Sequence, residues 1–374
     1  MSLSVLQVLP ALESGGVERG TLEMGRALVK AGHSSTVISN GGRMVAQLEA
    51  EGSRHITLPV HRKSPRSLAL IWRLRSILAS RRFDVVHPRS RMPAWLVFLA
   101  WRKLPPEGRA HLVTTVHGLY TVNAYSAVMT KGERVIAISQ TVRDYLTEHY
   151  PAVSDRVRVI YRGVDPAEFP LGYTPSQAWL EAWFREFPGL EGKELLIFPA
   201  RLTRWKGQRA YLEMLARISN PDVHGVVVGE SAANKGAYLK ELQSLAAELE
   251  IEDRVTFTGY RSDVREVMSI ASVVFNLSEH GEPFGRTMVE AMSMGVPVVA
   301  WDYGGAKESL GRLFPRGLVT PHDMDALVET VEEVLETQVK PLRNEHFLED
   351  TMTRETIALY EALLKDDDFR TETN

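Results

Sequence analysis

The sequence contains no cysteine in its 374 residues. This absence excludes disulfides, thiolate metal sites and cysteine nucleophiles, and it favours a reducing compartment such as the cytoplasm. Long apolar runs are missing too, because the run at 94–101 is far shorter than the roughly 20 residues that cross a bilayer. Residues 1–10 are apolar without a basic flank, so they predict a first strand and not a signal peptide.

The signatures of several enzyme classes are also missing. There is no Gly-x-Gly-x-x-Gly dinucleotide fingerprint, which argues against a nicotinamide enzyme. There is also no His-Glu-x-x-His motif of a zinc metalloprotease, and no motif of a Ser/His/Asp catalytic triad. Asp323-Met324-Asp325 has the Asp-x-Asp form of some metal ligands, but it lies at the start of a predicted helix. Aspartate is a good cap and dipole partner there, so we expect no metal site and no cofactor.

The chain does have an uneven distribution of charge. The net charge is −3, yet residues 1–165 carry 23 Lys and Arg against 12 Asp and Glu, and the remainder carries 21 against 35. A basic half suits an anionic partner such as a phosphorylated lipid, a membrane surface or a nucleic acid. Surface charge without a function is the alternative. Many of the cations fall in one loop and one predicted helix: Arg62, Lys63, Arg66, Arg73, Arg75, Arg81 and Arg82.

Short apolar strands alternate with helical stretches along the chain, a pattern that predicts parallel α/β sheets. We predict two Rossmann-like domains, residues 1–168 and 169–350, and a segment 351–374 with a helix at about 354–364. Ligands of such sheets bind beyond the carboxyl ends of the strands. The candidate strands are Val5–Leu9, Ser35–Ser39, His55–Pro59, Val85–His87, Leu112–Val116, Val135–Ile138 and Val157–Tyr161, then Leu195–Ala200, Gly225–Val228, Val255–Thr258, Val273–Leu277 and Val296–Ala300.

The most specific motif follows the predicted strand at 273–277. It reads His-Gly-Glu-Pro-Phe-Gly-Arg-Thr-Met-Val-Glu-Ala-Met, with Glu282 and Glu290 on either side of a helix start near Phe284. The unpaired N–H groups and the dipole of such a helix end attract phosphate. A sugar nucleotide has a central diphosphate and a hydroxyl-rich ring at each end. It would therefore fit the helix start and the two glutamates together. A surface helix with two solvated glutamates is the alternative.

This motif resembles the donor-site signature of a known enzyme family. Glu-x7-Glu with Phe-Gly inside it, followed by Glu-Ala-Met-x-x-Gly-x-Pro-Val-Val-Ala, is similar to the retaining family 4 glycosyltransferases of GT-B fold. The resemblance implies two Rossmann-like domains that face a central cleft, with the acceptor bound by residues 1–168 and the sugar nucleotide by residues 169–350. It also implies that the last helix, within 351–374, returns to the N-terminal domain. It places Glu282 beside the donor sugar, Glu290 at the ribose hydroxyls, and the backbone of Phe284, Gly285 and Arg286 at the diphosphate.

Other candidates follow further predicted strands. Arg201 and Lys206 lie in one loop, where a forked guanidinium and an ammonium can hold a diphosphate between them, and the resemblance assigns them this role. Gly15 and Gly16 would let the backbone approach a phosphate or sugar closely. Glycines are common in such turns, and the resemblance places this pair where donor and acceptor meet.

The resemblance also extends to residues of the first half and to the nucleobase. His117 is either a loop residue with ordinary partners or a group that touches substrate, and the resemblance implies a histidine near the donor sugar. It makes Glu282, His117, Arg201 and Lys206 the predicted catalytic residues.

The acceptor side and the base site are assigned in the same way. Arg89 and Arg91, with Tyr120, resemble the acceptor side of one bacterial branch. In the family, the main chain just after the glycine that ends the corresponding strand contacts the nucleobase. Arg261 lies two residues after Gly259, so its main chain is the candidate for that contact. Arg162 replaces the asparagine of the family's Asn-Gly-Val-Asp segment, so no acceptor role is assigned to that position.

These features predict a metal-independent, retaining hexosyltransferase. Its co-substrate would be a nucleotide-sugar, expected to be UDP-linked, and its acceptor a glycolipid or polysaccharide of lipopolysaccharide or surface-glycan biosynthesis. The expected location is the cytoplasm, peripheral at the inner face of the cytoplasmic membrane, with an anionic membrane surface as partner and no nucleic acid. A sugar-nucleotide epimerase or phosphorylase, and a non-catalytic sugar-nucleotide-binding subunit, are the alternatives.

Overall fold

The computed structural model describes residues 2–13, 15–62, 64–230 and 236–372, without the side chains of 65, 66 and 366–372. The chain divides into two units. The first unit comprises Met1–Gly163 and Glu349–Asn374, and the second comprises Val164–Leu348. The predicted boundaries, after residues 168 and 350, lie a few residues further along the chain.

The first unit is built on a parallel sheet of seven strands in the order β3-β2-β1-β4-β5-β6-β7. Its strands are β1 Ser4–Val8, β2 Ser34–Ser39, β3 Arg54–Thr57, β4 Val85–Pro88, β5 His111–Val116, β6 Arg134–Ala137 and β7 Val157–Val159. Its first helices are α1 Gly16–Lys30, α2 Val45–Ala50, α3 Ala69–Ser80, α4 Arg91–Trp101 and α5 Gln140–His149.

The second unit has a parallel sheet of six strands in the order β10-β9-β8-β11-β12-β13. The strands are β8 Glu194–Pro199, β9 Val223–Val228, β10 Val255–Gly259, β11 Val273–Asn276, β12 Val298–Trp301 and β13 Leu318–Val319. The helices are α6 Gln177–Glu186, α7 Gln208–Arg217, α8 Gly236–Glu248, α9 Val264–Ser269, α10 Arg286–Ser293, α11 Gly304–Leu313 and α12 Met324–Thr337. A last helix, α13 Glu349–Glu372, belongs to the first unit.

Both faces of the first sheet are covered, and the alternation along β1 shows why. Leu6 and Val8 point to one side and pack with residues of α3 and α4, whereas Val5 points to the other side and packs with residues of α1 and α13. A strand buried on both faces needs apolar residues at successive positions, as parallel sheets do in general. Tyr360 of α13 is fully buried in this second layer, so the last helix is part of the core of the first unit.

The parallel sheets confirm the predicted fold of two Rossmann-like α/β units. Every predicted strand is present, with ends shifted by one or two residues, whereas β13 was missed because two residues show no periodicity. In each sheet the first strand of the unit lies between its second strand and a later one, which creates a switch point. Ligands of doubly wound sheets bind at the carboxyl ends of the strands near such points. None of the described helices combines the length and the apolar character needed to cross a membrane.

Candidate functional site

The segment 280–292 of the second unit forms a turn and the short helix α10. The helix begins at Arg286, two residues later than predicted, because Gly285 has a left-handed backbone with φ of 79° and stands as its N-cap. A Cβ atom at Gly285 would lie 1.9 Å from Cε of Met288. A left-handed residue cannot continue the helix, and only glycine adopts that conformation without strain. The helix therefore presents the N–H groups of its first turn from Arg286 onward.

Glu282 lies just before this helix and is buried, with 8% of its surface exposed. Lys206 donates a hydrogen bond to its Oε1, and the Ser278 hydroxyl donates to the same oxygen at 2.7 Å. The main-chain oxygen of Glu282 accepts from the Gly305 N–H at 2.6 Å. Glu282 is thus held at its side chain and its backbone, which fixes the direction of the carboxylate.

The backbone of the β8–α7 loop brings Lys206 to this carboxylate. The Glu279 N–H donates to the Trp205 carbonyl at 2.8 Å, so the loop is tied to the segment after β11. Gly207 follows with φ of 87°, and a Cβ atom there would lie 1.9 Å from the Leu277 carbonyl oxygen. The close approach of two backbones therefore requires glycine at 207. Through this contact Lys206 and Glu282, which are distant in the sequence, form a partly buried ion pair.

Arg286 and Glu290 form a second, partly buried ion pair. The Arg286 Nε donates to Oε1 of Glu290 at 2.9 Å, and the side chains are 13% and 7% exposed. Residues four apart lie on the same face of a helix, which explains the contact. The resemblance assigns the backbone of Arg286 to the diphosphate and the Glu290 carboxylate to the ribose of the same ligand.

The other candidates of the second unit differ in how their side chains are used. Arg261 donates to both carboxylate oxygens of Asp263, at 2.9 and 2.7 Å, and to Glu186, so its guanidinium is already held and its raised pKa reflects these bonds. Only its main chain fits the predicted contact with the nucleobase. Phe284 is buried against Phe347, with ring centroids 5.6 Å apart, and its backbone packs closely on Gly305. The Arg201 side chain is exposed.

Gly15 and Gly16 of the first unit lie at the start of α1, as predicted. Gly15 is the N-cap with φ of 134°, and Gly16 is the first helical residue. The main-chain oxygen of Gly16 accepts a hydrogen bond from Nη2 of Arg162 at 2.5 Å, and Nη1 of the same guanidinium lies 3.7 Å from the Met352 sulfur of α13. Arg162, which the sequence analysis left without a role, therefore links the end of β7 to α1 and to α13.

Arg89 and His117 follow β4 and β5 in the same unit. Arg89 is 4% exposed and donates to the Gln7 side-chain oxygen at 2.7 Å, while its Nε has no hydrogen-bond partner among the described residues. Neither ring nitrogen of His117 has one there either. Burial first, then the charges of Arg162 and Arg89, lowers the pKa of His117 well below 6.5, so the imidazole is neutral at pH 7.

Arg91 and Tyr120, the other predicted acceptor residues, lie together. The Arg91 guanidinium lies over the Tyr120 ring at 4.5 Å from the centroid and over the Tyr125 ring at 5.3 Å. Trp95 of α4 holds this loop through a hydrogen bond from its indole N–H to the Tyr125 carbonyl at 2.9 Å. A cation that contacts aromatic faces is a stable arrangement, so Arg91, Tyr120 and Tyr125 form one cluster after β4 and β5.

Ser278, which supports Glu282, is missing from the sequence-based candidates. It binds the Glu282 carboxylate, and it follows the end of β11, so the carboxyl-end rule could have selected it. The loop 302–305 resembles another wall of the family's donor cleft, with a plain Gly-Gly turn as the alternative, and its Tyr303 hydroxyl donates to the Ser278 carbonyl, which ties the loop after β12 to the loop after β11. Asp323 caps α12 by accepting from the Ala326 N–H at 3.0 Å. Within the described residues, no group of three or more His, Cys, Asp or Glu side chains is placed to hold a metal ion.

Two family models match the chain, one for each half. Residues 14–168 match the model of Glycosyltransferase Family 4, and residues 181–346 match that of glycosyl transferases group 1. "Spore coat protein SA" of Bacillus subtilis is 28% identical over 62% of this chain. The chain covers 63% of the length of that relative, which is less than two thirds.

Solved structures resemble the chain over nearly its whole length. A glycosyltransferase from Rickettsia africae is 28% identical, with a TM-score of 0.85 over 97% of this chain and 99% of that one. The Anabaena protein HepE, solved with UDP-glucose, shares the fold at 20% identity, with a TM-score of 0.75 over the full length of both chains. Each half of the chain therefore resembles a glycosyltransferase family model, and the whole chain has the GT-B fold of the glycosyltransferase structures.

Proposed function

We propose that this protein transfers a glycosyl group from a nucleoside diphosphate sugar, UDP-linked, to an acceptor hydroxyl with retention at the anomeric carbon. The contact of Lys206 with Glu282 in front of α10 carries the proposal. It joins a cation for phosphate, a fixed carboxylate for sugar hydroxyls and a helix N-terminus within one unit of a fold that glycosyltransferases share.

The donor would be held by the residues at the carboxyl ends of β8 and β11. Lys206, the exposed Arg201 and the first-turn N–H groups of α10 would bind the diphosphate and stabilise the charge that develops on it as the sugar leaves. Glu290 would accept hydrogen bonds from the ribose hydroxyls, and the main chain at Arg261 would meet the base. HepE, which has the same fold, was solved with UDP-glucose, and this supports a UDP-sugar.

The hydrogen bonds of the Glu282 carboxylate favour a front-face mechanism, in which the acceptor attacks on the side of the sugar from which the diphosphate leaves. One of its oxygens already accepts from Lys206 and from Ser278, so the carboxylate suits binding of sugar hydroxyls better than attack on the anomeric carbon. In the proposed step, the bond from the anomeric carbon to the diphosphate oxygen breaks as the bond to the acceptor oxygen forms. The acceptor proton passes to the departing phosphate, and the nucleoside diphosphate leaves.

The acceptor would be a glycolipid or polysaccharide of a bacterial surface-glycan pathway, reached from the cytoplasmic face of the membrane. Support comes from α3 of the first unit, where Leu68 at its N-cap and Trp72 are 59% and 66% exposed. Arg73 is exposed next to Trp72, and Lys103 lies over the Trp72 ring. Apolar and cationic side chains together suit an anionic lipid surface. Lys63 and the side chain of Arg66, also expected there, lie outside the described residues.

The test is turnover of a panel of nucleotide sugars with candidate glycolipid acceptors, with and without EDTA. Transfer to an acceptor with retained anomeric configuration, unchanged by EDTA, is the expected result, since Lys206 and Arg201 supply the positive charge that a metal would bring. Recovery of an epimerised donor, or of a sugar phosphate, would replace the proposal with an epimerase or a phosphorylase. Tight UDP binding without turnover of any donor would indicate a binding subunit, and a requirement for magnesium or manganese would contradict metal independence.

A further inference from the structure

Trp205 lies in the β8–α7 loop and has no role in the proposed donor contacts. It is the middle residue of a single 3₁₀ turn, Arg204–Lys206, and 36% of its surface is exposed. Its carbonyl accepts from the Glu279 N–H at 2.8 Å, which fixes its backbone against the segment after β11. The ring, by contrast, takes part in a contact with a charged group of the candidate site.

Two groups hold the Lys206 ammonium among the described residues. It donates to the Glu282 carboxylate, and it lies over the Trp205 ring, with 4.1 Å between Nζ and the ring centroid. The Lys206 side chain is 17% exposed, so both contacts are largely shielded from water. An ammonium has three N–H donors, and a single carboxylate therefore leaves donors for a ligand.

The two partners of Lys206 differ in how they would compete with a phosphate. A carboxylate neutralises the ammonium, whereas the face of an aromatic ring attracts a cation without carrying a net charge. The Glu282 oxygen that binds Lys206 also accepts from the Ser278 hydroxyl at 2.7 Å, so it keeps a donor when the ammonium turns away. A phosphate can therefore replace Glu282 at Lys206 while the ring contact remains.

The ring also restricts a side chain that would otherwise be mobile. Lysine has a long flexible stem and loses much rotamer freedom when its ammonium is held in one place. A ring in contact with Nζ limits this freedom before a ligand arrives, which lowers the cost of ordering at binding. Trp205 thus orders the ammonium and leaves its charge available.

Arg204, on the same loop, provides an internal comparison. Its guanidinium lies over the Tyr238 ring, 5.3 Å from the centroid, and pairs with Glu241 of α8. The Arg204 side chain is 74% exposed. The loop therefore carries two pairs of a cation and an aromatic ring, one at Glu282 and one on the surface of the unit.

We infer that Trp205 is a positioning residue for the diphosphate of the donor. Its ring holds the Lys206 ammonium while this group exchanges the Glu282 carboxylate for the diphosphate, and the exchange leaves Glu282 to the hydroxyls of the sugar. This inference rests on the proposed function, because it takes the diphosphate to be the ligand of Lys206.

The experiment measures UDP affinity of the full chain by calorimetry. Trp205→Leu should weaken binding about three- to tenfold, the range of a cation–ring contact at a partly desolvated site. Trp205→Phe should lose less, because it keeps a ring. In a Lys206→Ala background, Trp205→Leu should cause no further loss, since the ring acts through the ammonium. Tyr238→Leu, which removes the ring under Arg204, is the matched control and should bind UDP as the wild type does.

A second measurement tests the ring if Trp205→Leu does not fold. Tryptophan carrying one, two or three ring fluorines, introduced at position 205 alone, keeps nearly the same shape but has a less negative ring face. UDP affinity should fall with each added fluorine.

Affinity without a trend along the fluorine series would overturn the inference. Equal losses in Trp205→Phe and Trp205→Leu would do the same, as would a loss in the Lys206→Ala background as large as in the wild type. Failure of UDP to bind the wild type would instead count against the proposed function, so the two failures are distinguishable.

Discussion

The two units share a sheet topology but differ in the partners of the cations among their candidate residues. In the second unit the partly buried Lys206 and Arg286 each pair with a carboxylate, that of Glu282 and that of Glu290. In the first unit the buried Arg89 donates to the neutral side chain of Gln7, and its Nε has no hydrogen-bond partner among the described residues. One fold therefore carries cations paired with carboxylates in one unit and a buried cation bonded to a neutral amide in the other.

This difference indicates how each unit would recognise a ligand. A paired cation must share or exchange its carboxylate partner before it binds phosphate, so backbone N–H groups and the exposed Arg201 gain importance in the second unit. A buried guanidinium bonded to a neutral amide gains a counter-charge when an anion arrives. The comparison leads to five predictions, ordered from the largest expected effect to the smallest.

Gly207→Ala should disrupt the close backbone contact between Gly207 and Leu277 that brings Lys206 to Glu282. The new Cβ would lie 1.9 Å from a backbone oxygen that cannot rotate away, and φ is 87°. Backbone strain and overpacking cost about 1–3 kcal/mol each, so the free energy of unfolding should fall by about 2–6 kcal/mol in chemical denaturation. Gly32→Ala is the control, with φ of 80° but no atom within 4 Å, and should lose about 1–2 kcal/mol. Equal losses would show that the close approach is unimportant.

Arg201→Ala and Lys206→Ala should each weaken binding of the nucleoside diphosphate. Each removes a charge-assisted hydrogen bond of about 1.5–3 kcal/mol, a loss of roughly tenfold or more in UDP affinity measured by calorimetry. Arg204→Ala is the matched control, because Arg204 is exposed on the same loop and pairs with Glu241. Wild-type affinity in both variants would remove these residues from the donor site.

Glu290→Ala and Glu282→Ala should separate nucleotide binding from turnover. We expect Glu290→Ala to weaken UDP binding by about 1–3 kcal/mol, the cost of a lost bond to a charged group. Glu282→Ala should leave UDP affinity near wild type and reduce kcat, because its assigned contact is with the sugar. Calorimetry with UDP and steady-state kinetics with the donor give the two readouts. The same defect in both variants would contradict the division of roles.

Acid should destabilise the protein through the buried histidines of the first unit. Burial first, then the charges of Arg89 and Arg162, lowers the pKa of His87 and of His117 well below 6.5. The unfolded chain therefore takes up protons that the folded chain does not, and stability is lost as pH falls below about 6.5, by about 1.4 kcal/mol per pH unit for each histidine. Denaturation at pH 7, 6 and 5 should show this slope, reduced in His117→Gln and unchanged in His149→Gln, an exposed histidine.

The smallest effect concerns the basic surface of α3. Each cation near an anionic leaflet contributes about 1 kcal/mol, screened beyond about 8–10 Å, so docking should be weak and reversed by salt. Co-sedimentation should show more binding to phosphatidylglycerol vesicles than to phosphatidylcholine vesicles at low salt. Replacing Trp72 and Arg73 together should reduce it, whereas Arg316→Ser in the second unit should not. Equal binding to both vesicle types, or none, would leave α3 as a solvated basic helix.

Much of the fold could be predicted because its determinants are local. The apolar runs at 195–200 and 273–277 are long enough to identify strands, and the strand ends then indicate where polar residues gather. Asp323 was correctly expected to cap a helix, because a cap depends only on the next few residues. The start of α10 was misplaced because Gly285 takes its left-handed conformation beside Met288, which the apolar pattern does not reveal.

The sequence by itself determined the two parallel α/β units, the helix that follows β11 and the candidate residues after the strands. Only the tertiary structure decided which of these residues meet: that Lys206 pairs with Glu282, that Arg162 reaches Gly16, and that the Nε of Arg89 has no hydrogen-bond partner among the described residues. The physical reason is the distance along the chain over which each interaction acts. Periodicity and helix capping act over a few residues, whereas an ion pair between residues far apart in the chain depends on how whole loops and helices pack.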